Sequence, residues 1–132
     1  MAIVGHGVDL TEVSRIEQML GDHPERFLER CFTPTEQADG GDGPRRAERL
    51  AARFAAKEAA LKALGTGWSD GVGWTDIGVI RTNAGKPELA VTGRAAEIAG
   101  ALGITRWHVS LSHTGDHAIA SVIAEGDAPI PA

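Results

Sequence analysis

Residues 45–65 read RRAERLAARFAAKEAALKALG, the longest run of good helix formers in the chain. The run predicts a helix from about Arg45 to Leu64, with Gly65 at the position where many helices end. Apolar side chains at helical spacing form its expected buried stripe, namely Leu50, Phe54 and Leu61. This helix is the longest element that the sequence predicts.

Shorter elements surround it, in the predicted overall order β-α-α-α-α-β-β-α-β-β. The first strand, residues 3–10, contains Gly5 and Gly7, and interior glycines usually mark the close approach of another element. Hairpins dominate the predicted sheet. We therefore expect an α+β fold, in which a mainly antiparallel sheet packs with one long and several short helices. Residues 1–125 should form a single domain, and residues 126–132 should form a flexible C-terminal tail.

The composition excludes several classes of protein. The chain has 132 residues, with 13 basic and 18 acidic side chains and a net charge of −5, which argues against a general nucleic-acid binder. No apolar run approaches the ~18 residues of a membrane span, and the first residues lack the basic start of a signal peptide. The single cysteine, Cys31, fits a reducing compartment. We therefore expect a cytoplasmic protein without a membrane partner.

The charge is unevenly distributed along the chain. Residues 1–44 carry a net charge of −6, residues 45–62 a net charge of +4 and residues 63–132 a net charge of −3. A basic segment in an acidic chain suits a small phosphate-bearing ligand better than a long nucleic acid. The alternative is a solvated helix with Glu/Arg pairs at helical spacing.

Asp9 is the first candidate for chemistry. It shares the parity of Gly5 and Gly7 at the end of the predicted strand, where it could present a carboxylate to a hard cation. The alternative is structural, because residues 9–12, Asp-Leu-Thr-Glu, have the pattern of a capping box with Asp9 as the helix N-cap.

Glu58 is the second candidate, because it borders the buried stripe of the long helix and a carboxylate there needs a partner. Lys62, one turn later, could form a helix-surface ion pair with it. Alternatively, Glu58 binds a metal ion and Lys62 binds phosphate. Spacing alone leaves both interpretations open.

Two weaker patterns are set aside. His108, Ser110 and Ser112 share one strand face but lack the elbow and the acid of a serine hydrolase. The glycines of residues 65–67 follow a helix, whereas phosphate-binding loops of the known nucleotide motifs follow a strand.

The ordered motifs of the chain resemble those of the holo-acyl-carrier-protein synthases. Residues 5–10, GHGVDL, resemble the first motif of this family, and residues 53–65, RFAAKEAALKALG, resemble its long helix. Three shorter segments fall where the family has matching elements, namely FTPTE at 32–36, NAGKP at 83–87 and VSLSH at 109–113. The resemblance spans about residues 3–125.

The resemblance implies the 4′-phosphopantetheinyl transferase fold and a Mg²⁺-dependent holo-acyl-carrier-protein synthase. Such an enzyme transfers 4′-phosphopantetheine from coenzyme A to a serine of apo acyl carrier protein, and it releases adenosine 3′,5′-bisphosphate. The reaction serves fatty-acid biosynthesis, and polyketide carriers are a second substrate class. The family is typically homotrimeric, with active sites at subunit interfaces.

The resemblance also assigns residues. Asp9 and Glu58 match the magnesium-binding carboxylates, and Lys62 matches the lysine beside the transferred phosphate. The expected contacts of coenzyme A are Arg53, Lys57, Gly65, Lys86, Pro87 and His113. The larger transferases carry a further acid at the position of Thr11, so the short bacterial type is the better match. The base is either Glu58 acting through a water molecule or an acid of the carrier.

Arg15 matches the docking position for the acidic carrier, and Arg26 and Arg30 could assist it. Several acids share these helices, namely Glu12, Glu17, Asp22, Glu25 and Glu29, which departs from the family pattern. Two other functions stay open on the residues alone. One is a non-catalytic module that binds coenzyme A or a carrier, and the other is a trimeric structural domain.

Overall fold

The computed structural model describes residues 1–127 and has the predicted order of elements, with one additional 3-10 turn at Trp74–Asp76. Its helices are α1 (Val13–Asp22), α2 (Pro24–Cys31), α3 (Pro34–Gly40), α4 (Arg46–Leu64) and α5 (Gly93–Ala101). Its strands are β1 (Ala2–Glu12), β2 (Ile77–Arg81), β3 (Pro87–Val91), β4 (Ile104–Thr114) and β5 (His117–Gly126). The α+β class is confirmed.

The strands form two antiparallel sheets. One has the order β1-β5-β4, and the other is the β2-β3 hairpin. Strand β5 continues through Gly126, which pairs with Ala2, so this residue is not part of a tail. The remainder of the predicted flexible tail lies, from residue 128 onward, outside the described residues. Within residues 1–127, no helix is long and apolar enough to cross a membrane.

Helix α4 is the centre of the core, and 14 of its residues are buried. The predicted stripe of Leu50, Phe54 and Leu61 is buried, but so are the alanines on the remaining faces. Sheet, hairpin and helices therefore enclose α4 from several sides. The helix ends at Gly65, whose φ of +80° is the left-handed conformation that glycine adopts without strain.

Glycines allow β1 to lie directly against α4. A Cβ added at Gly5 would overlap the carbonyl oxygen of Ala63, and one added at Gly7 would overlap that of Ala59. The expectation of a close approach at these two glycines is thus confirmed.

Asp9 is not a helix cap. Strand β1 continues to Glu12, and Asp9 pairs with Ala120 inside the sheet. The N-terminus of α1 is instead capped by Asp116, whose carboxylate accepts hydrogen bonds from the backbone N–H of Ser14 at 2.9 Å and from its hydroxyl at 2.8 Å. Capping from a distant turn leaves the carboxylate of Asp9 available for other contacts.

Replacing Gly7 with alanine should destabilise the protein, because the added methyl must displace the backbone of α4. Overpacking of this kind costs about 1–3 kcal/mol. Gly21 is the matched control, since it lies within α1 and an added Cβ meets nothing within 4 Å. Gly21→Ala should raise the free energy of unfolding by ~0.5–1 kcal/mol, because alanine favours the helix. Urea unfolding measures the free energy of unfolding of both variants. An equal change in the two variants would contradict the close approach of β1 to α4 at Gly7.

Candidate active site

Asp9 and Lys62 bind each other across the β1–α4 contact. The Lys62 ammonium donates to Asp9 Oδ1 at 3.2 Å and to the carbonyl oxygen of Val8 at 2.8 Å. The other oxygen of Asp9, Oδ2, accepts a hydrogen bond from the Thr11 hydroxyl at 2.8 Å. The Asp9 side chain is 17% exposed and that of Lys62 is 54% exposed, so the pair lies at the rim of the protein, where a ligand could reach it.

Glu58 lies one turn before Lys62 on α4. The Glu58–Lys62 ion pair, one of the two arrangements that spacing left open, is not among the ion pairs recorded within residues 1–127. Instead, Glu58 Oε1 accepts a hydrogen bond from the indole N–H of Trp68 at 3.4 Å. Burial raises the pKa of Glu58 above its ordinary value, and the negative charge of Asp9 raises it further. The two carboxylates therefore lie close enough to repel each other, and a cation between them would relieve that repulsion.

This donor set fits a magnesium ion. Among residues 1–127, no group of three or more His, Cys, Asp or Glu side chains is arranged to hold a metal. Magnesium, however, usually takes only one or two protein carboxylates and completes its six ligands with phosphate and water oxygens. Asp9 and Glu58 would supply two hard oxygen ligands from adjoining elements, β1 and α4.

Lys57 does not belong to the site. The prediction that Lys57 contacts coenzyme A is wrong, because its side chain is buried. Its side chain is fully buried and donates to Glu36 at 2.6 Å and to the carbonyl oxygens of Ile77 and Trp74 at 2.6 and 3.1 Å. Burial lowers the pKa of Lys57, and the Glu36 carboxylate opposes that shift. An ammonium with all of its donors bound inside the core cannot reach a ligand in solvent.

A basic pocket of about 300 Å³ lies on another face of α4. It brings together three of the expected coenzyme contacts, Arg53, Pro87 and His113. Further charged side chains line it, namely Arg45, Glu48, Arg49 and Arg81. Four arginines against one glutamate make this pocket suitable for phosphate.

Arg53 is the most unusual side chain of this pocket, because it is only 2% exposed. Its Nη1 donates to the carbonyl oxygen of Arg49 at 3.0 Å, while Nε is the one buried side-chain nitrogen without a partner in the described part of the chain. Burial lowers the pKa of Arg53, and the charge of Arg81 adds to the effect. An anion in the pocket would offset both the burial of the guanidinium and its repulsion by Arg81.

The other expected contacts lie apart from this pocket. Lys86 lines a neighbouring cleft of about 490 Å³ between β3 and β4, with Pro87 at the boundary of the two. Gly65 ends α4 and starts the loop that leads to Trp68. Neither residue touches Asp9 or Glu58 among the recorded hydrogen bonds and ion pairs of residues 1–127.

The predicted docking arginines converge on a groove of about 350 Å³ beside Glu58. Arg15 of α1 and Arg26 and Arg30 of α2 line it together. Its floor is aromatic, made of Phe27, Phe54, Trp68 and Trp74. We refer to it below as the arginine-rimmed groove.

A family comparison matches this arrangement. The sequence model of the 4′-phosphopantetheinyl transferase superfamily matches residues 5–122 of the chain. The chain belongs to this family. The match covers β1 with Asp9, all of α4 and most of β5, so it includes every element of the carboxylate pair and of the basic pocket.

Individual relatives match this chain over nearly their whole length. The holo-[acyl-carrier-protein] synthase of Koribacter versatilis is 48% identical over 123 residues, which cover 93% of this chain and 98% of that protein. The crystal structure of the synthase from Neisseria meningitidis superposes with a TM-score of 0.85 at 34% identity, covering 94% of this chain and 99% of that one. A synthase from Bacillus anthracis, solved in complex with CoA (3′,5′-ADP), superposes with a TM-score of 0.76 at 40% identity, covering 95% and 98%.

Sequence reasoning missed Glu36, the partner of the buried lysine. Residues 33–36, Thr-Pro-Thr-Glu, predict a capping box between Thr33 and Glu36, and the two reciprocal hydrogen bonds of 2.8 and 3.1 Å confirm it. The same carboxylate also accepts from Lys57 and from the backbone N–H of Val79 at 2.8 Å. The capping-box pattern predicts only the hydrogen bonds between Glu36 and Thr33. Nothing in the sequence indicates the bonds that Glu36 accepts from Lys57 and Val79.

Replacing Lys57 with methionine should cost about 3–5 kcal/mol of stability, because it leaves the Glu36 carboxylate buried without its counter-charge. Urea unfolding measures the loss. Lys86→Met is the control, since Lys86 is exposed and its substitution should change stability little. Adding Glu36→Gln to Lys57→Met should recover part of the loss, because it removes the unpaired charge. Equal stability of Lys57→Met and Lys86→Met would contradict the buried pair.

Proposed function

We propose that this chain transfers 4′-phosphopantetheine from coenzyme A to a serine of apo acyl carrier protein, and that the reaction requires Mg²⁺. The observation that carries the proposal is the arrangement of Asp9, Glu58 and Lys62 at one rim of α4. A module that only binds coenzyme A would not need this carboxylate pair. The family membership and the named activity of the relatives support the same reaction.

In this reaction the serine oxygen bonds to the pantetheine-side phosphorus, and the bond from that phosphorus to the bridging oxygen breaks. Adenosine 3′,5′-bisphosphate leaves, and the serine proton passes to a base. Magnesium, when bound, neutralises charge on the pyrophosphate oxygens. Asp9 and Glu58 supply its protein ligands. The Lys62 ammonium lies beside them and offsets the charge that develops on the phosphoryl group, which is the main requirement of such transfers.

We propose further that the basic pocket binds phosphate groups of the coenzyme nucleotide. Arg53 brings a buried, partly unpaired guanidinium to it, and His113 and Pro87 form its wall. Lys86 extends from the turn next to Pro87 and could contact the adenosine side.

These two parts of the site lie on different faces of α4. Positions 45, 49 and 53 follow one another within about 80° on the helix, whereas positions 58 and 62 lie at least about 140° away from position 53. One coenzyme molecule would have to pass around the enclosed helix to contact both faces within one chain. We therefore propose that each site combines the carboxylates of one copy with the arginines of a neighbouring copy in a homotrimer.

The sheet supports such an assembly. The face of β1 and β5 away from α4 exposes large apolar side chains, namely Val8 at 49%, Leu10 at 63% and Ile119 at 41%. These three lie in register across the two strands, since Leu10 pairs directly with Ile119 and Val8 pairs with Ser121. Contact with other copies would remove this surface from water.

For the carrier, we propose docking at the arginine-rimmed groove. Arg15, Arg26 and Arg30 present positive charge to an acidic helix, and the groove opens beside Glu58, where the carrier serine must react. A cytoplasmic location, suggested by the composition, remains part of this proposal.

The first test measures transfer directly. Wild-type protein incubated with coenzyme A and Mg²⁺ should add the mass of phosphopantetheine to an apo carrier. Asp9→Ala and Glu58→Ala should each lower the rate by at least about 100-fold, because each removes a ligand of the metal. Intact-protein mass spectrometry of the carrier follows the reaction.

Glu97→Ala is the matched control, since Glu97 is an exposed carboxylate that pairs with Arg94 on the surface of α5. It should transfer at the wild-type rate. Transfer by the Asp9→Ala/Glu58→Ala double variant in the presence of a chelator would overturn the metal role. Failure of wild-type protein with fatty-acid and polyketide carriers alike would favour a binding module instead.

The second test addresses the shared site. Asp9→Ala and Arg53→Ala proteins should each be nearly inactive as pure assemblies. Co-expressed at equal amounts, they should regain about one quarter of the wild-type sites, because a hybrid site then combines intact carboxylates with an intact arginine in one of four random pairings. Absence of any recovery in verified hybrids would mean that the site lies within one chain.

A further inference from the structure

Glu58 has a partner that the helical spacing does not predict. Spacing pairs Glu58 with Lys62, but Lys62 binds Asp9 and the carbonyl oxygen of Val8. Of the hydrogen bonds recorded within residues 1–127, the one that Glu58 accepts comes from the indole N–H of Trp68, at 3.4 Å. Trp68 lies in the loop after α4, ten residues beyond Glu58.

The position of Trp68 is constrained by aromatic stacking. Its ring lies 3.8 Å, centroid to centroid, from that of Trp74, and Trp74 stacks on Phe54 at 4.7 Å. Phe54 belongs to α4 and lies one turn before Glu58. The indole is therefore attached to the same helix at two places, through this stack and through the Glu58 carboxylate.

The chemistry of this donor matters for a cation site. An indole N–H is a neutral donor, so it orients a carboxylate without neutralising it. A lysine ammonium in the same place would both neutralise Glu58 and occupy the space that a cation needs. Because Lys62 binds Asp9 and Trp68 donates to Oε1, no hydrogen bond recorded within residues 1–127 reaches Oε2 of Glu58.

We propose that Trp68 is a positioning residue whose indole N–H orients the Glu58 carboxylate for a divalent cation shared with Asp9. This inference rests on the proposed function and adds a residue to it. Groups that hydrogen-bond to a metal-binding side chain fix its orientation, and their loss typically weakens metal affinity about 10- to 100-fold.

Trp68→Phe tests the inference, because phenylalanine keeps an aromatic ring in the stack and lacks the N–H donor. The readout is Mn²⁺ binding to the protein saturated with coenzyme A and without carrier, measured by the loss of the free-ion EPR signal. We expect Mn²⁺ to bind about tenfold more weakly than to wild-type protein. Trp107→Phe is the matched control, since Trp107 lies on β4 and does not line the groove that contains Glu58 and Trp68. It should bind Mn²⁺ as wild-type protein does.

The kinetics of Trp68→Phe should distinguish a loss of metal positioning from general damage to the active site. In Trp68→Phe, the Mg²⁺ concentration for half-maximal rate should rise about tenfold, while kcat at saturating Mg²⁺ and KM for the carrier should change less than about threefold. A fall in kcat that excess Mg²⁺ does not restore would overturn the positioning role.

A measurement on wild-type protein covers the case in which Trp68→Phe does not fold. The three indole N–H groups each give one ¹⁵N–¹H signal, and Mg²⁺ added to the coenzyme A complex should shift the signal of Trp68 more than that of Trp107. An unmoved Trp68 signal, or Mn²⁺ affinity of Trp68→Phe within twofold of wild type, would overturn the inference while the metal site stands. If wild-type protein binds no Mn²⁺ at all, the result would overturn both the proposed metal site and the role of Trp68.

Discussion

The contact between β1 and α4 is the constraint on which the site depends. Gly5 and Gly7 carry no side chain toward the helix, so the strand lies against the carbonyl oxygens of Ala63 and Ala59. Asp9 is the next residue on the same face of the strand, and it is the first with a side chain long enough to bind a group of α4. At this short separation the Asp9 carboxylate meets Lys62 directly. Larger residues at positions 5 and 7 would move Asp9 away from Glu58 and Lys62 together.

A second constraint fixes the other side of α4. Lys57 and Glu36 join three elements in the core, because Lys57 belongs to α4, Glu36 to α3, and both bind the backbone of β2. Buried ion pairs add little net stability, since desolvation opposes the attraction between the charges. A fully hydrogen-bonded pair, however, disfavours any packing that breaks it. Here it fixes the position of the β2-β3 hairpin, which carries Arg81 and Pro87 to the basic pocket on α4.

Periodicity and capping signals predicted the element order, the ends of α4 and the capping box at Thr33, because these features depend on residues close together in the chain. Long-range partners were not predictable in this way. Asp9 has the local pattern of a helix cap, but Asp116 caps α1 from a turn more than a hundred residues away. Lys57 and Lys62 are five residues apart on one helix and look alike in sequence. One is buried with Glu36 and the other reaches Asp9 at the surface, a difference set by which strand packs on each face.

The ion pairs of Lys57 and Lys62 also reduce the number of basic residues in 45–62 that are available to bind a ligand. Of the six basic residues in 45–62, Lys57 is neutralised in the core, Lys62 is bound to Asp9, and Arg49 donates to the carbonyl oxygens of Gly40 and Asp42. The basic pocket therefore depends on Arg45, Arg49 and Arg53 with the addition of Arg81 from β2, which lies outside the basic segment of the sequence.

The acidic segment, residues 1–44, contributes few of its acidic side chains to the arginine-rimmed groove. Asp9 and Glu36 are paired internally, and Glu12, Glu17, Glu25 and Glu29 do not line the arginine-rimmed groove. In that groove, Arg15, Arg26 and Arg30 lie with one aspartate, Asp22, and with Glu58. An acidic carrier would thus meet a locally basic surface within an acidic stretch of chain. The departure from the family's basic first helix therefore lies beside the groove and not within it, because Glu25 and Glu29 share a neighbouring pocket with Arg26 and Arg30.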